Sequence, residues 1–330
     1  MLVRTIQTTA GGTYMVTLPK QFVKSLGLDR KHVVRVELEE DRIVLTPTTP
    51  RPSIISKTIK ISDFKDPKLL SLAIVNFYIM GHDVAQVVST GKMSPAHKKS
   101  VREAVENLVG VEIVEDYADR IVLQSLVDPS KFEVDLLLDR FTNLSRAVLR
   151  DAVNALHAGD KTLAHDAYER GAELTRLYRL MMRICFQALR SSAVREIVKV
   201  KDTQSLAVRI IAVRELGRVA YYCMKIAERV EELERSEGEV AALIKEMAEK
   251  TDRMLDNSLK ALIKHDLLLA SSVIDSMDDV RTLYAKAFRA VIKRPEKEAH
   301  TLGLIIRAIR AVAGYSVALA DDAILEIFSK

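Results

Sequence analysis

A repeat in the C-terminal two thirds of the chain constrains its fold more than any other feature. When the chain is shifted by 106 residues, residues 149–179 align without gaps on residues 255–285. Apolar residues recur at i, i+3, i+4 and i+7, which is the pattern of amphipathic helices. The copies are identical at these positions: Leu149/Leu255, Ala155/Ala261, Leu156/Leu262, Asp160/Asp266, Leu163/Leu269, Ala164/Ala270, Leu177/Leu283 and Tyr178/Tyr284.

Each copy continues into a third long helix, predicted at residues 203–235 and 295–328. Asp160 and Asp266 are predicted helix N-caps, because a short carboxylate accepts a hydrogen bond from the free N–H groups of a first helical turn. A repeated helical unit buries its apolar stripe against its neighbours, so the economical interpretation is two tandem three-helix bundles. We assign them to residues 131–236 and 238–330.

The first 48 residues follow a different pattern, that of a β-rich head. Strands are predicted within "MLVRTIQT" (1–8) and "TYMVTLP" (13–19), and a short helix at Pro19–Leu26, with Pro first and Gly27 after its end. "HVVRVELEEDRIVLTP" (32–47) alternates apolar and polar residues on both sides of a polar turn, which predicts a hairpin. So small a unit is marginal alone, and the sequence therefore predicts a dimer.

The segment at residues 54–128 alternates between strand and helix. Asp66-Pro67 and Ser94-Pro95 are helix-start signals, and Gly81 and Gly110 are predicted C-caps. The order βαβαββ predicts a small α/β sandwich, and we find no Gly-rich phosphate loop in it. A Pro-rich linker, "TPTTPRPS", separates this segment from the head.

Composition narrows the class of protein. The formal net charge is only +5, so nucleic-acid binding requires local placement of charge or its doubling in a dimer. The two cysteines, Cys185 and Cys223, are far apart and predict no disulfide scaffold or zinc site. No apolar run is long enough to span a membrane and no signal-peptide pattern begins the chain, which predicts a cytoplasmic protein without membrane insertion. The seven histidines have no metal-ligand spacing and no nucleophile motif occurs, so we expect neither enzymatic activity nor a cofactor.

Residues 13–46 resemble the AbrB/MazE/SpoVT family of swapped-hairpin DNA-binding domains. The resemblance rests on the order strand, "VTLP", short helix, "LGL", Val-rich strand and hairpin. It implies a β-barrel head that forms only as an intertwined homodimer and that binds DNA. The basic residues of the head that are expected to contact DNA phosphates are Arg4, Lys20, Lys24, Arg30 and Lys31.

The repeated helical region resembles PhoU, the family of phosphate-uptake regulators. The best local match is "VRELGRVA" (213–220), and the helices at 164–178 and 270–284 match the second helix of that family. With an AbrB-like head, the chain looks like an archaeal variant of PhoU. The fold class expected is mainly α, with a swapped-hairpin β-barrel head, a small α/β sandwich and two tandem three-helix bundles.

The resemblance also implies metal ligands, but this chain has replaced them. The carboxylate pairs that hold metal in the family correspond here to Gly171/Thr175, Met277/Arg281, Arg214/Arg218 and Arg310/Gly314. We therefore expect no metal cluster in the family's place. Two acidic pairs lie two positions earlier, about 200° around the helix. These pairs, which could form a displaced metal site, are Glu169/Glu173 and Asp275/Asp279. The simpler interpretation is that they are solvated and form ion pairs with Arg170, Arg176 or Lys286.

Arginine at positions where the family has metal-binding carboxylates favours the binding of an anion. Arg214, Arg218 and Arg310 are predicted to converge between the bundles and to bind an anion such as phosphate, because guanidinium offers it paired donors. The alternative is salt bridges to Glu215, Asp321 or Glu228.

Three functional hypotheses follow. The first is a dimeric cytoplasmic regulator of phosphate uptake whose head binds DNA and whose body senses phosphate status or contacts the phosphate-transport machinery or phosphate-signalling proteins. The second is an adaptor that docks on a phosphate transporter, with the head serving only for dimerisation. The third is a metal-dependent protein, which the arginine substitutions disfavour.

Overall fold

The computed structural model of the chain describes residues 3–25, 28, 33–39, 42–47, 54–64, 66–233 and 236–328. It divides the chain into two units, Met1–Ile54 and Ile55–Lys330. The second unit is dominated by long helices, as the sequence predicts.

Within its described residues, the first unit, the head, contains two strand pairs and one helix. In the structure β1 pairs with β2, and β3 pairs with β4 in an antiparallel hairpin whose register runs from Val34↔Pro47 to Glu39↔Arg42. The predicted hairpin is confirmed, whereas the first two strands are shorter than predicted. Because these described strands form separate pairs in one chain, the predicted swapped barrel stays a prediction. The elements are β1 (Gln7–Thr8), β2 (Tyr14–Met15), α1 (Lys20–Ser25), β3 (Val34–Glu39) and β4 (Arg42–Pro47).

The second unit begins with an α/β domain in the predicted order βαβαββ. Its four-stranded sheet has the order β5-β6-β8-β7, with β5 and β6 parallel and the other neighbours antiparallel. Asp66 and Ser94 cap the two helices through their side-chain oxygens, with Pro at the first helical position of each. The elements are β5 (Ser56–Lys60), α2 (Pro67–Ile79), β6 (Val84–Val88), α3 (Pro95–Glu106), β7 (Val111–Asp116) and β8 (Arg120–Ser125).

In the described part of the chain seven α-helices follow, and six of them form the two predicted bundles. Asp160 and Asp266 accept hydrogen bonds from Leu163 N and Leu269 N, so the predicted N-caps are confirmed. The seventh, α6, lies in the connection between α5 and α7 and was not predicted. The helices are α4 (Val134–Ala158), α5 (Lys161–Arg190), α6 (Ser192–Ile197), α7 (Thr203–Glu231), α8 (Glu239–Lys264), α9 (Leu267–Val291) and α10 (Glu296–Phe328).

The two bundles pack on each other through helices that are equivalent in the repeat. Helix α4 packs on its repeat equivalent α8, and α7 on its equivalent α10. Arg146 on α4 forms a bidentate pair with Asp252 on α8, at 2.9 Å for both bonds, and a further bond to Asp256 at 2.7 Å. Arg146 and Asp252 are 106 residues apart and therefore equivalent in the repeat. Opposite charges at equivalent positions fix this contact in a tandem chain, since two identical copies would bring like charges together.

A buried arginine joins the α/β domain to the first bundle. The side chain of Arg183 on α5 is fully buried and donates from Nη1 to Tyr78 O and His82 O at 3.0 and 2.6 Å. Its Nη2 donates to Asp83 Oδ1 at 3.0 Å, and its guanidinium lies 4.9 Å from the Tyr78 ring centroid. Burial lowers the pKa of Arg183 and raises that of Tyr78 to about 12. Arg190, further along α5, donates to Gly81 O at 2.7 Å.

Helix α10 is long and apolar enough to cross a membrane and, in the part of the chain that the structure describes, no other helix is. Half of its most apolar window is buried, and the helix packs on α7, α8 and α9. A core helix of a bundle has the same length and composition, so this feature is weak support for a membrane span.

Candidate functional site

The basic face predicted for the head is partly within the described residues. Lys20 and Lys24 are both exposed on α1, one turn apart. Arg4 is exposed and donates to Val3 O at 3.1 Å. Arg30 and Lys31 lie outside the described residues.

The head also exposes apolar side chains, and no residue of it for which the structure describes burial is buried. Leu38 on β3 is 82% exposed, and Val36 on the same strand is 58% exposed. Apolar side chains alternating along a strand are normally covered on one face. Many exposed apolar side chains in a small unit indicate an interaction surface. The exposed set is Val3, Ile6, Tyr14, Met15, Val16, Leu18, Phe22, Val33, Val36, Leu38 and Ile43.

A second candidate site is a cavity of about 300 Å³ in the first bundle. Helices α4, α5 and α7 supply its walls. Two of the arginines predicted to bind an anion, Arg214 and Arg218, line it. The lining is Phe141, Leu174, Thr175, Tyr178, Arg214, Gly217, Arg218, Ala220, Tyr221 and Met224.

Two glycines let large side chains approach the cavity walls. A Cβ on Gly217 would lie 2.8 Å from Cε2 of Tyr178, so the glycine makes room for that ring. A Cβ on Gly171 would lie 2.1 Å from the sulfur of Met224. Gly171 is one of the positions where the resemblance expects a metal-binding carboxylate, and here the Met224 side chain occupies the space that a carboxylate would need.

The cavity has a positive and hydrogen-bonding wall. Arg214 Nη1 donates to Tyr178 Oη at 2.7 Å. Within the described ranges, no carboxylate lies within ion-pair distance of Arg214 or Arg218. Glu228, one of the predicted alternative partners of these arginines, instead pairs with Lys225 at 2.6 Å.

Arg310 is not brought to this cavity. Its guanidinium lies 5.0 Å from the ring centroid of Tyr284 on α9, in the second bundle. Arg310 and Tyr284 are the repeat equivalents of Arg214 and Tyr178, so the Arg–Tyr pair occurs in both bundles. The structure thus brings together two of the three predicted arginines.

The two acidic pairs lie on exposed helix surface. Glu173 pairs with Arg140 on α4 at 2.9 Å, and its repeat equivalent Asp279 pairs with Lys250 on α8. The predicted partner Arg170 instead pairs with Asp151 at 2.6 Å. Among the residues that the structure describes, no group of three or more metal-ligating side chains occurs. The exposed members without such a pair are Glu169 and Asp275.

Asp322 is one of the buried acids that sequence reasoning missed. Asp322 on α10 is 7% exposed, and its Oδ2 is buried with no hydrogen-bond partner among the described residues. Burial, reinforced by Glu215 and Asp321, raises its pKa to about 7. A charged residue within the apolar C-terminal stretch of α10 was the available signal. Arg183 was missed too, although it interrupts the apolar run "LMMRICF".

Comparisons with known proteins agree with this architecture, in which a body of two tandem three-helix bundles follows a β-rich head in the sequence. The family model described as PhoU domain matches residues 138–230 and 244–323, together more than half of the chain. The chain belongs to the PhoU family. Residues 7–53 match the model described as antidote-toxin recognition MazE, bacterial antitoxin, so the head is a MazE/AbrB-like domain.

Two solved structures share the fold of the body. The crystal structure of PhoU from Pseudomonas aeruginosa is 20% identical and has a TM-score of 0.52, covering 60% of this chain and 96% of that chain. The phosphate transport system regulatory protein PhoU from Streptococcus pneumoniae is 17% identical, with a TM-score of 0.50 and the same coverage. A search of curated proteins finds no significant match. The predicted archaeal origin stays a prediction.

Proposed function

We propose that the protein is a cytoplasmic, homodimeric regulator of phosphate uptake that binds DNA through its head. Membership of the PhoU family supports the link to phosphate, as does the likeness to a protein titled a phosphate transport system regulatory protein. The MazE-like head supports DNA binding. The observation that carries the proposal is the uncovered apolar surface of the head, since it fits a unit completed by a second copy.

Assembly of the head is the first thing to test. Leu38→Glu places a charge where a single chain leaves the side chain 82% exposed, so a monomer would tolerate it. In a dimer that buries Leu38, an unpaired charge is costly and the dimer weakens. Leu268→Glu is the matched control, because Leu268 is 83% exposed on α9 of the body.

Sedimentation of the full chain at micromolar concentration measures the outcome. We expect a dimer for the wild type and Leu268→Glu, and dissociation for Leu38→Glu. A wild-type monomer of 37.0 kDa contradicts the proposal.

DNA binding is tested by the salt dependence of affinity. Lys20→Ala with Lys24→Ala removes four cations from a dimer, and each lost phosphate contact lowers the slope of log K against log salt by about 0.9. Lys57→Ala with Lys60→Ala, two exposed lysines on β5, is the control that removes the same charge outside the head. Fluorescence anisotropy with duplex DNA measures the slopes.

The adaptor hypothesis predicts a different result. A head that only dimerises binds no DNA at physiological salt, and neither lysine pair changes anything. In that case the body docks on a phosphate transporter or its signalling partners, and the head merely links two copies. Equal slopes for the wild type and the Lys20/Lys24 variant would favour this adaptor.

A further inference from the structure

The size of the cavity in the first bundle indicates what it holds. A volume of about 300 Å³ is at the lower end of the range of pockets for organic small molecules. Most of its lining is apolar or aromatic, with Phe141, Leu174 and Met224 along the walls. An inorganic phosphate ion would contact only the polar wall and would leave the apolar part unused.

The polar wall is built for an anion. Arg214 and Arg218 have no carboxylate partner among the described residues, unlike Arg146 and Arg170. Tyr178 Oη accepts from Arg214, which leaves its own hydroxyl hydrogen to donate. Thr175 is not a free donor, because its hydroxyl donates to Gly171 O at 2.9 Å. Two guanidinium groups and one hydroxyl match a group with two negative charges and several acceptor oxygens.

The apolar wall favours an aromatic group beside that anion. Tyr221 is 45% exposed at the cavity, while Phe141 is buried in its wall. Aromatic rings pack favourably against other rings, and the Met224 sulfur against a ring edge. The ligand that uses both walls is therefore an anion attached to an aromatic group.

We infer that this cavity binds an aromatic phosphate monoester. Its phosphate contacts Arg214, Arg218 and the Tyr178 hydroxyl, and its aromatic group lies against the accessible side chains of Tyr221 and Met224. The inference goes beyond the proposed function and does not depend on DNA binding by the head.

The second bundle supplies a control within the same molecule. Arg310 and Tyr284 repeat the Arg–Tyr pair, but the position equivalent to Arg218 is Gly314. At these two equivalent positions the second bundle therefore has one arginine, whereas the first bundle has two. Arg310→Gln removes the same charge as Arg214→Gln and leaves the cavity lining intact.

Calorimetric titration of the full chain tests the inference. The probes are phenyl phosphate and adenosine monophosphate, with inorganic phosphate as the anion alone and adenosine as the aromatic group alone. We expect at least one of the two esters to bind tenfold or more tightly than inorganic phosphate or adenosine. Arg214→Gln and Arg218→Gln each weaken ester binding tenfold or more, since hydrogen bonds to charged groups are strong. Arg310→Gln leaves it within twofold.

Several outcomes would overturn the inference. If inorganic phosphate binds as tightly as both esters, the apolar wall plays no part. If adenosine matches its monophosphate, the arginines do not hold an anion. If Arg310→Gln weakens ester binding as much as Arg214→Gln does, the ligand binds elsewhere. If neither ester binds at millimolar concentration, the cavity does not bind an aromatic phosphate monoester. DNA binding, measured separately, distinguishes any of these failures from failure of the proposed function.

Discussion

Replacing Arg183 tests how the α/β domain is held on the first bundle. Arg183→Met keeps most of the apolar stem but removes three hydrogen bonds and a cation–π contact. One acceptor, Tyr78 O, lies in the last turn of α2, where free carbonyls and the helix dipole favour a cation, and His82 O lies just beyond that helix. The substitution leaves all three acceptors without this donor.

The magnitude follows from burial. Breaking a buried charge pair costs about 3–5 kcal/mol. The side chain of Asp83 is 31% exposed, so water replaces part of what it loses. We therefore expect a loss of about 3 kcal/mol in the free energy of unfolding. Arg190→Met is the matched control on the same helix, because Arg190 is exposed and makes one hydrogen bond to the same segment, worth about 1 kcal/mol.

Urea denaturation measures the loss, and hydrogen exchange in Pro67–Ile79 locates it. Exchange is the sharper assay, because a chain with several domains need not unfold in two states. We expect faster exchange in α2 for Arg183→Met and little change for Arg190→Met. A loss below 1 kcal/mol, or equal effects of the two variants, would refute the reasoning.

Three further predictions concern the bundles. Gly303→Ala fills open space within a helix, so we expect it to raise the free energy of unfolding by about 0.5–1 kcal/mol. Gly217→Ala would force the Tyr178 ring aside and should not raise it. Urea denaturation measures both variants. Arg146→Met leaves the buried carboxylate of Asp252 without its bidentate partner, so it lowers the free energy of unfolding by about 3 kcal/mol. Arg140→Met breaks an exposed pair and lowers it by less than about 1 kcal/mol in the same denaturation assay. Asp322 has a raised pKa in the folded protein, so the fold binds more protons than the unfolded chain between about pH 4 and pH 7 and loses stability as pH rises through that window. Asp322→Asn should therefore melt above the wild type at pH 8, with a smaller difference at pH 5, and a constant difference would contradict the shift.

The bundles were predictable because local signals and the repeat agree. Asp160 and Asp266 are N-caps 106 residues apart, and both were identified from residue type and spacing. Gly159 and His265 precede them, and both have positive φ at the helix C-caps. Each signal needs only a few neighbouring residues, so the sequence alone is sufficient.

The cavity was only partly predictable because it depends on packing between helices. The resemblance pointed to Arg214 and Arg218 on α7, but Phe141 and Leu174 come from α4 and α5, whose rotation relative to α7 the sequence does not specify. Arg310 shows the limit most clearly. Its position matches Arg214 in the repeat, yet its guanidinium packs on Tyr284 and does not reach the cavity.

The head was predictable in element order and less so in strand length. The hairpin formed as expected, since its alternation and turn are local. Strand β1 is confined to Gln7–Thr8, where it pairs with β2. The apolar side chains of the head are exposed in the single chain, and whether a second copy covers them depends on assembly, which local sequence patterns do not specify.

The most direct test of the account is the DNA recovered with the full chain from cells grown with and without phosphate. We predict that DNA upstream of phosphate-transport genes is enriched with the wild type, that its amount changes with phosphate supply, and that Lys20→Ala with Lys24→Ala abolishes the enrichment. Wild-type recovery no greater than that of the lysine variant, under both conditions, would contradict the account.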